Sequence, residues 1–108
     1  MILCLIKNPK SKRDFLFIDD LVEGLISLLE HKKNFDIINF CFGEGHSVEN
    51  VLNCILNITQ SRLPIDYVND NFYYDSILDN TKAKNLLGWE PKISLEEGLK
   101  IVLNNYSL

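Results

Sequence analysis

The residues best suited to chemistry lie in a basic turn near the start of the chain. Its four cations are Lys7, Lys10, Lys12 and Arg13. Arg13 is one of only two arginines, the other being Arg62, in a chain that is acidic overall. Because a guanidinium matches a phosphate or diphosphate through paired N–H bonds, Arg13 is a candidate anion ligand. The spacing alone favours a solvated basic loop over an anion site, so both interpretations stay open at this point.

A glycine pair resembles a dinucleotide-binding turn. Gly43-x-Gly45 follows an apolar run and precedes a predicted helix, and Asp66 lies about 20 residues further on. The third glycine of that pattern would fall at Val48, whose Cβ obstructs the close packing of helix on strand that glycine permits. The sequence therefore predicts a plain strand-to-helix turn and no cofactor-binding residue in this chain.

Tyrosine-based proton transfer has no support in the spacing. A Tyr-x-x-x-Lys pair places a lysine one helical turn from a phenol, which lowers the pKa of that phenol. The residues four positions after Tyr67, Tyr73 and Tyr74 are Asn71, Ile77 and Leu78, and Tyr106 lies too near the end. The sequence thus predicts no catalytic residue.

Metal-ligand and nucleophile patterns are equally weak. The candidate ligands are His31, His46, Cys4, Cys41 and Cys54. They show neither C-x-x-C nor H-x-x-x-H spacing, so no metal site is predicted. Ser47 beside His46 is better explained as a helix N-cap than as a nucleophile, because nothing in the sequence offers an oxyanion site.

The composition is that of an ordinary globular chain. It has 108 residues, of which 46% are hydrophobic and 24% charged, and this balance excludes wholesale disorder. A net charge of −4 argues against a nucleic-acid partner, and the uncharged stretches are too short for a membrane span. No signal peptide is predicted, and three sparse cysteines favour reduced thiols. We expect one domain over residues 1–108, located in the cytoplasm, with no nucleic-acid or membrane partner.

Hydrophobic patterning predicts a mixed α/β chain with four helices. Apolar runs predict strands at residues 2–6, 15–18, 35–42 and 65–68. The run 35–42 lacks alternation, which is typical of a strand buried on both faces in a parallel sheet. Capping signals predict helices that start near Asp20, Ser47, Asp79 or Asn80, and Ser94. The first helix has one apolar face, formed by Leu21, Leu25, Leu28 and Leu29. The predicted order is β-β-α-β-α-β-α-α.

Several motifs together are similar to those of one family. They are Arg13-Asp-Phe-Leu-Phe-Ile-Asp-Asp20, Asn39-Phe-Cys-Phe-Gly43, Asp79-Asn-Thr-Lys-Ala83, Leu87-Gly-Trp-Glu-Pro91 and Ser94-Leu-Glu-Glu-Gly-Leu99. Their order and spacing resemble the C-terminal part of the extended short-chain dehydrogenases/reductases, the NAD-dependent nucleotide-sugar epimerases and dehydratases. The resemblance covers roughly residues 6–106.

The resemblance implies a fold, a substrate class and two site residues. The fold would be a partial Rossmann-like one, a small mixed sheet with four helices that lacks the N-terminal cofactor domain. Arg13 would contact the diphosphate of a nucleotide sugar, and Phe15 is a weaker candidate for contact with the same substrate. The complete enzyme would use NAD to oxidise a sugar hydroxyl and later return the hydride. The cofactor loop and the Tyr-x-x-x-Lys pair of the family belong to the N-terminal half, so this chain alone is expected to bind no NAD.

Some positions depart from the family pattern. A second phosphate-binding arginine usually precedes the Asp-x-Ser-Lys-Ala motif, but that stretch reads Val68-Asn-Asp-Asn71 here. Cys41 replaces a usual glycine, and Pro9 stands where glycines are usual. These departures keep two hypotheses open. One is a substrate-binding portion that is not catalytic alone, and the other is a non-enzymatic remnant or interaction module that binds no sugar nucleotide.

The run 35–42 also predicts a partner. A strand buried on both faces needs neighbours, and the chain offers only a few other short strands. Ile37, Phe40 and Phe42 are therefore expected to be incompletely covered. Open edges and apolar patches are usually interaction sites. We expect self-association or an N-terminal partner half.

Overall fold

The described part of the chain contains four strands and four helices. The computed structural model describes residues 3–69 and 74–106. In chain order the elements are β1 (Cys4–Lys7), β2 (Lys12–Asp14), α1 (Ile18–Leu28), β3 (Gly45–Ser47), α2 (Val48–Thr59), β4 (Ile65–Val68), α3 (Thr81–Leu87) and α4 (Leu95–Asn105). The mixed α/β class with four helices is confirmed. The predicted order of elements is also observed, although the second and third strands are different segments from the predicted ones.

The strands form two separate two-stranded sheets. β1 and β4 are parallel, with Cys4 opposite Ile65 and Lys7 opposite Val68. β2 and β3 are antiparallel, with Arg13 opposite His46. The parallel pair is joined through more than a helix of intervening chain, as parallel strands require. The antiparallel pair sets the backbone of Arg13 against the turn that leads into α2.

Serine caps start two of the helices as predicted. The amide of Asn50 donates to Ser47 Oγ at 3.0 Å at the start of α2. The amide of Glu97 donates to Ser94 Oγ at 3.2 Å at the start of α4. Each bond satisfies an amide that the first turn of a helix leaves without an intrahelical acceptor. Gly88 ends α3 in the left-handed region at φ 64°, again as predicted.

The predicted capping box at Asp20 is wrong. α1 begins earlier, after Phe17, whose side chain has no polar atom that could cap it. The Asp20 side chain is buried and accepts the amides of Lys92 at 3.1 Å and Ile93 at 3.0 Å. The carboxylate that the local pattern assigned to the start of α1 therefore accepts hydrogen bonds from residues 92 and 93, which are distant in sequence.

The predicted strand at residues 15–18 is also wrong. The strand in this region is β2, and the chain turns into α1 at Ile18. Only three residues of β3 are available for pairing, and they are matched to residues 12–14. Phe17 is therefore not part of a strand, and it packs on α4. Its ring lies so close to Gly98 that a Cβ added at this glycine would be 2.7 Å from Phe17 Cδ1.

Residues 35–42 do not form a strand ladder, contrary to prediction, because no other strand of the described residues pairs with them. The expectation of incomplete cover is confirmed: Ile37 is 69% exposed, and Phe40 and Phe42 are half-buried. The predicted inner face of α1 is correct only in part. Leu21 and Leu28 are half-buried, whereas Leu25 is 50% and Leu29 is 84% exposed.

The buried core is centred on Trp89. Its ring meets Phe40 edge to face at 5.0 Å between centroids, and its indole N–H donates to the Asp20 carbonyl at 2.8 Å. α1 approaches this centre at Gly24, where a Cβ would lie 2.6 Å from Phe40 Cδ1. Other buried apolar side chains are those of Cys41 and Ala83. This is a small core for a chain of this length.

The overall dimensions agree with a small core. The radius of gyration is 16.9 Å, against about 13 Å for a compact domain of this length. The principal extents are 56 × 36 × 17 Å, so the molecule is long and flat. None of the helices in the described ranges is long and apolar enough to cross a membrane.

Candidate functional site

Arg13 is held in one orientation by its neighbours. On β2 its Nη1 donates to the Lys12 carbonyl at 2.8 Å and to the Tyr74 carbonyl at 2.6 Å. Its guanidinium carbon also lies 4.8 Å from the centre of the Tyr74 ring, within the range of a cation–π contact. The half-buried side chain therefore has a defined geometry that a solvated basic loop would not impose.

The same geometry leaves one edge of the guanidinium available. Within residues 3–69 and 74–106, neither Nε nor Nη2 of Arg13 has a hydrogen-bond acceptor, and no carboxylate pairs with this side chain. These two nitrogens form the parallel N–H pair that can bind two oxygens of a phosphate. The arrangement can hold an anion without first breaking an ion pair.

The segment that carries Tyr74 is fixed beside β2. The amide of Ser76 donates to the Lys12 carbonyl at 3.0 Å, and the amide of Lys12 donates to Asp75 Oδ1 at 2.9 Å. The amide of Tyr74 donates to the hydroxyl of the buried Ser11 at 3.2 Å. Tyr74 is thereby kept against Arg13 by its own amide and by the bonds of the two residues that follow it.

The other cations of the basic turn have mixed surroundings. Lys10 forms an ion pair with Glu49 of α2 at 3.2 Å. Such an exposed pair contributes little to stability, but it removes part of the local positive charge. Arg13 is therefore the cation of this turn for which the structure shows both a fixed orientation and an available donor edge.

Phe15 lies in different surroundings from Arg13. It is 37% exposed and lines an apolar cleft of about 150 Å³ between the segment after β2 and the start of α4. The cleft is lined by Phe15, Leu16, Phe17, Ile93, Ser94, Leu95, Gly98, Leu99 and Val102. Arg13 does not line this cleft, so the structure does not bring the two predicted site residues into one cavity.

Asp14 is a positioning residue that the sequence reasoning missed. Its carboxylate accepts the amides of Phe42 at 2.8 Å and Gly43 at 2.9 Å, and that of Leu78 at 3.4 Å. It joins β2 to two loops that are distant in sequence. The signal that could have identified it is an acidic residue directly after the candidate arginine, at the end of a short strand.

Asn80 joins the loop at residues 41–43, which Asp14 also contacts, to the start of α3. Its side-chain amide donates to the carbonyls of Cys41 at 3.0 Å and Phe42 at 3.1 Å. The two capping alternatives for α3 are thereby resolved, because Asp79 Oδ1, and not Asn80, accepts the amide of Thr81 at 2.8 Å. The hydrogen bonds from Thr81 lower the pKa of the Asp79 carboxyl.

The glycine turn leads into a helix whose first amides already have protein acceptors. Val48 donates to the Ser11 carbonyl at 3.2 Å, and Glu49 donates to the Pro9 carbonyl at 3.0 Å. The third of these amides, that of Asn50, donates to Ser47 Oγ, as described above. A dinucleotide-binding turn instead offers such amides to a pyrophosphate. The interpretation as a plain strand-to-helix turn fits this geometry, and these residues do not fit an NAD site.

The histidines have structural partners. His46 Nδ1 lies 2.9 Å from the side-chain amide of Asn50, one turn into α2. His31 Nε2 lies 3.0 Å from Asp36 Oδ2. The described part of the chain holds no group of three His, Cys, Asp or Glu side chains that could bind a metal ion. Burial raises the pKa of the Cys41 thiol, which favours its protonated, unreactive form.

Known proteins resemble this chain over nearly its whole length. Residues 3–102 match the family described as GDP-mannose 4,6 dehydratase. A UDP-glucuronate 4-epimerase of Thermodesulfobacterium geofontis is 35% identical over 97 residues, which are 85% of this chain and 29% of that protein. The UDP-glucuronic acid decarboxylase 2 of Arabidopsis thaliana is 35% identical over 103 residues, which are 92% of this chain and 22% of that protein.

Solved structures extend the likeness to the fold. A UDP-glucose 4-epimerase from Thermotoga maritima, solved with UDP-glucose, superimposes with a TM-score of 0.81 at 34% identity. The match covers 94% of this chain and 33% of that one, so the chain spans a third or less of the length of these relatives. The motifs and the hydrogen bonds that join them lie within the matched residues 3–102. This chain therefore belongs to the family of NAD-dependent nucleotide-sugar epimerases and dehydratases described as GDP-mannose 4,6 dehydratase.

Proposed function

We propose that this chain is the substrate-binding, C-terminal part of a nucleotide-sugar epimerase or dehydratase, and that Arg13 grips the diphosphate of the nucleotide sugar. The observation that carries the proposal is the clamped guanidinium, which is oriented by Tyr74 and keeps its Nε–Nη2 edge available. The Thermotoga maritima relative was solved with UDP-glucose, which supports a nucleotide-sugar ligand.

In this proposal the chain binds substrate but does not carry the redox chemistry. When bound, NAD would accept a hydride from a sugar carbon that bears a hydroxyl, as that hydroxyl loses its proton, and would return the hydride at the end of the cycle. The glycine turn before α2 does not fit an NAD site, because the first amides of that helix donate to Ser11, Pro9 and Ser47. The cofactor would be held by the rest of the enzyme.

Other features support the setting of the proposed function. Cys4, Cys41 and Cys54 are free thiols, which suits a reducing compartment such as the cytoplasm. Phe15 is the secondary candidate for substrate contact, through the apolar cleft that it lines. We treat residues 1–108 as one domain-sized binding unit.

A thermal-shift titration with UDP, dTDP and GDP tests the proposal. A ligand present at 100 times its Kd and bound only to the folded state adds about 2.7 kcal/mol, so the best of the three should raise the Tm by several degrees. Arg13→Ala should remove most of that rise, and Arg13→Lys should restore little of it, because an ammonium lacks the paired donors. Phe15→Ala should have a smaller effect.

The matched control is Arg62→Ala, which removes the other arginine at an exposed position. It should leave the nucleotide-induced rise unchanged. If both arginine variants lost the same part of the nucleotide-induced rise in Tm, the rise would be explained by non-specific charge and not by a site at Arg13. A complete lack of response to all three nucleotides would favour the non-enzymatic interaction module. Calorimetric titration with NAD should show no micromolar binding to the chain alone.

A further inference from the structure

Arg13 lies in the middle of a row of three residues that crosses neighbouring backbone segments. On one side, His46 of β3 is directly opposite Arg13 in the antiparallel ladder. On the other side, Ser76 forms an isolated parallel bridge with Arg13. Side chains of directly opposed residues lie on the same face of a sheet, with Cβ atoms about 5 Å apart. The His46 ring is therefore on the face from which the Arg13 guanidinium extends.

One nitrogen of the His46 ring already has a partner. Asn50 Nδ2 lies 2.9 Å from His46 Nδ1. A side-chain NH₂ group only donates, so Nδ1 is the acceptor and the neutral ring carries its hydrogen on Nε2. Within residues 3–69 and 74–106, His46 Nε2 has no hydrogen-bond partner. The half-buried ring thus has one fixed nitrogen and one donor that is available to a ligand.

The position of His46 opposite Arg13 has an electrostatic consequence. Like charges directly opposite each other on neighbouring strands destabilise a sheet. Protonation of His46 places such a charge next to the Arg13 guanidinium, with which no carboxylate of the described residues pairs. An anion bound between the two side chains removes this repulsion, because each of them then donates to a negative charge.

The other titratable groups near His46 favour an anion on the side of Arg13. A cavity of about 280 Å³ beside the ring is also lined by Glu44 before β3, by Cys54 of α2 and by Glu96 of α4. Both glutamates are exposed, so water screens their charges, but a phosphate group inside this cavity would still meet two carboxylates. Arg13 does not line the cavity. The favourable place for a phosphate group is therefore outside it, between His46 and Arg13.

We propose that His46 is a second ligand of the diphosphate that Arg13 binds, and that protonation of its ring strengthens binding of the nucleotide sugar. This inference rests on the proposed function. The Nε–Nη2 edge of Arg13 can hold two oxygens of one phosphate group, and the second phosphate group of a diphosphate needs a donor of its own. His46 Nε2 supplies that donor. The ring adds a positive charge as the pH falls through the range in which histidines titrate, about pH 8 to pH 5.

Calorimetric titration with a nucleotide sugar at two pH values tests the role of His46. The probe is the glucose conjugate of whichever of UDP, dTDP and GDP gives the largest thermal shift. Both phosphate groups of such a conjugate are esterified on both sides, so neither changes its charge over this range. Binding should be about three- to tenfold tighter at about pH 6 than at about pH 8, as expected when a neutral hydrogen bond becomes a charged one.

His46→Gln is the decisive variant, because glutamine keeps a hydrogen-bond donor but cannot gain a charge. It should bind the conjugate equally at both pH values, with the lower affinity that the unsubstituted chain has at the higher pH. His46→Lys should bind tightly at both. The matched control is His31→Gln, which removes the other histidine, whose Nε2 lies 3.0 Å from Asp36. This control should keep the full pH dependence.

Nuclear magnetic resonance of the histidine rings gives a readout that does not depend on how the variants fold. The conjugate should move the midpoint of the His46 titration to higher pH and leave that of His31 in place, because coupling between proton and ligand is reciprocal. Equal affinity of the unsubstituted chain at both pH values, an unmoved His46 titration, or loss of the pH dependence in His31→Gln would overturn the role of His46 and leave that of Arg13 intact. Absence of binding by all three conjugates at both pH values would instead contradict the proposed function itself.

Discussion

The side of the molecule built around Trp89 is closed, whereas the opposite side is not. That open side carries residues 36–42, here called the open edge, and the exposed apolar face of α1, formed by Ile18, Val22, Leu25, Ile26 and Leu29. Around Trp89, the indole N–H, the Asp20 carboxylate and the Asn80 amide all have protein partners. The described residues contain no buried side-chain nitrogen or oxygen that lacks a hydrogen bond. On the other side, the amides of residues 38–41 have no acceptor within residues 3–69 and 74–106, and large apolar side chains face solvent.

The difference shows what the family motifs do in this chain. Arg-Asp-Phe supplies Asp14, Asp-Asn-Thr-Lys-Ala supplies Asn80, and Gly-Trp-x-Pro supplies Trp89. Each motif ties one loop to another through a side chain, so the junctions can form without a large sheet. On the open side, side chains hold only the two ends of residues 36–42, through Asp36 and through Asp14 and Asn80.

The largest effect is expected from Trp89→Ala. This change removes the 5% exposed ring from the closed side together with its hydrogen bond to Asp20. The free energy of unfolding should fall by about 3–5 kcal/mol, as measured by urea denaturation. Tyr106→Ala, at a 65% exposed position, should change it by no more than about 0.5 kcal/mol. A small effect at Trp89 would mean that the closed side is not the stable core.

A smaller loss is expected from Asp20→Asn. The variant keeps the shape of the side chain but removes the charge that strengthens the bonds from Lys92 and Ile93. Urea denaturation should show a loss of about 1–3 kcal/mol. Asp19→Asn is a matched control, because Asp19 lies in the same first turn of α1 and is exposed. Similar losses from both variants would point to the helix dipole and not to the junction with residues 92–93.

The smallest effect concerns the start of the open edge and depends on pH. The hydrogen bond from Lys82, followed by that from His31, holds the pKa of the Asp36 carboxyl well below its usual value. A carboxyl with a lowered pKa stabilises the fold above its unfolded-state pKa of about 4, and this stabilisation is lost as the pH falls further. The urea midpoint should therefore decrease from about pH 5 to pH 3.

Asp36→Asn should flatten that decrease, whereas Asp66→Asn on the exposed side of β4 should preserve it. The protection factor of the Ile37 amide, which donates to Asp36 Oδ1 at 2.9 Å, should also fall on acidification in the unsubstituted chain, because protonation of Asp36 weakens this hydrogen bond. Parallel pH profiles for the two variants would show that Asp36 does not hold the open edge.

Local sequence determined the features that depend on neighbours in the chain. Ser47 and Ser94 cap their helices because a serine oxygen reaches an amide three residues on, whatever else the fold does. Gly88 ends α3 because only glycine enters the left-handed region without steric cost. β1 and β4 were also predicted from apolar runs, within one or two residues. The motifs that include Arg13, Trp89 and Pro91 were sufficient to identify the family.

Tertiary structure decided what depends on distant partners. Asp20 looked like a local cap but serves residues 92–93, because a buried carboxylate takes whichever amides the fold brings to it. Residues 35–42 read as a buried strand, yet a strand exists only where a neighbour supplies hydrogen bonds, and none does so within the described residues. The orientation of Arg13 likewise comes from Tyr74, which lies 61 residues away in sequence and could not be paired with it from spacing.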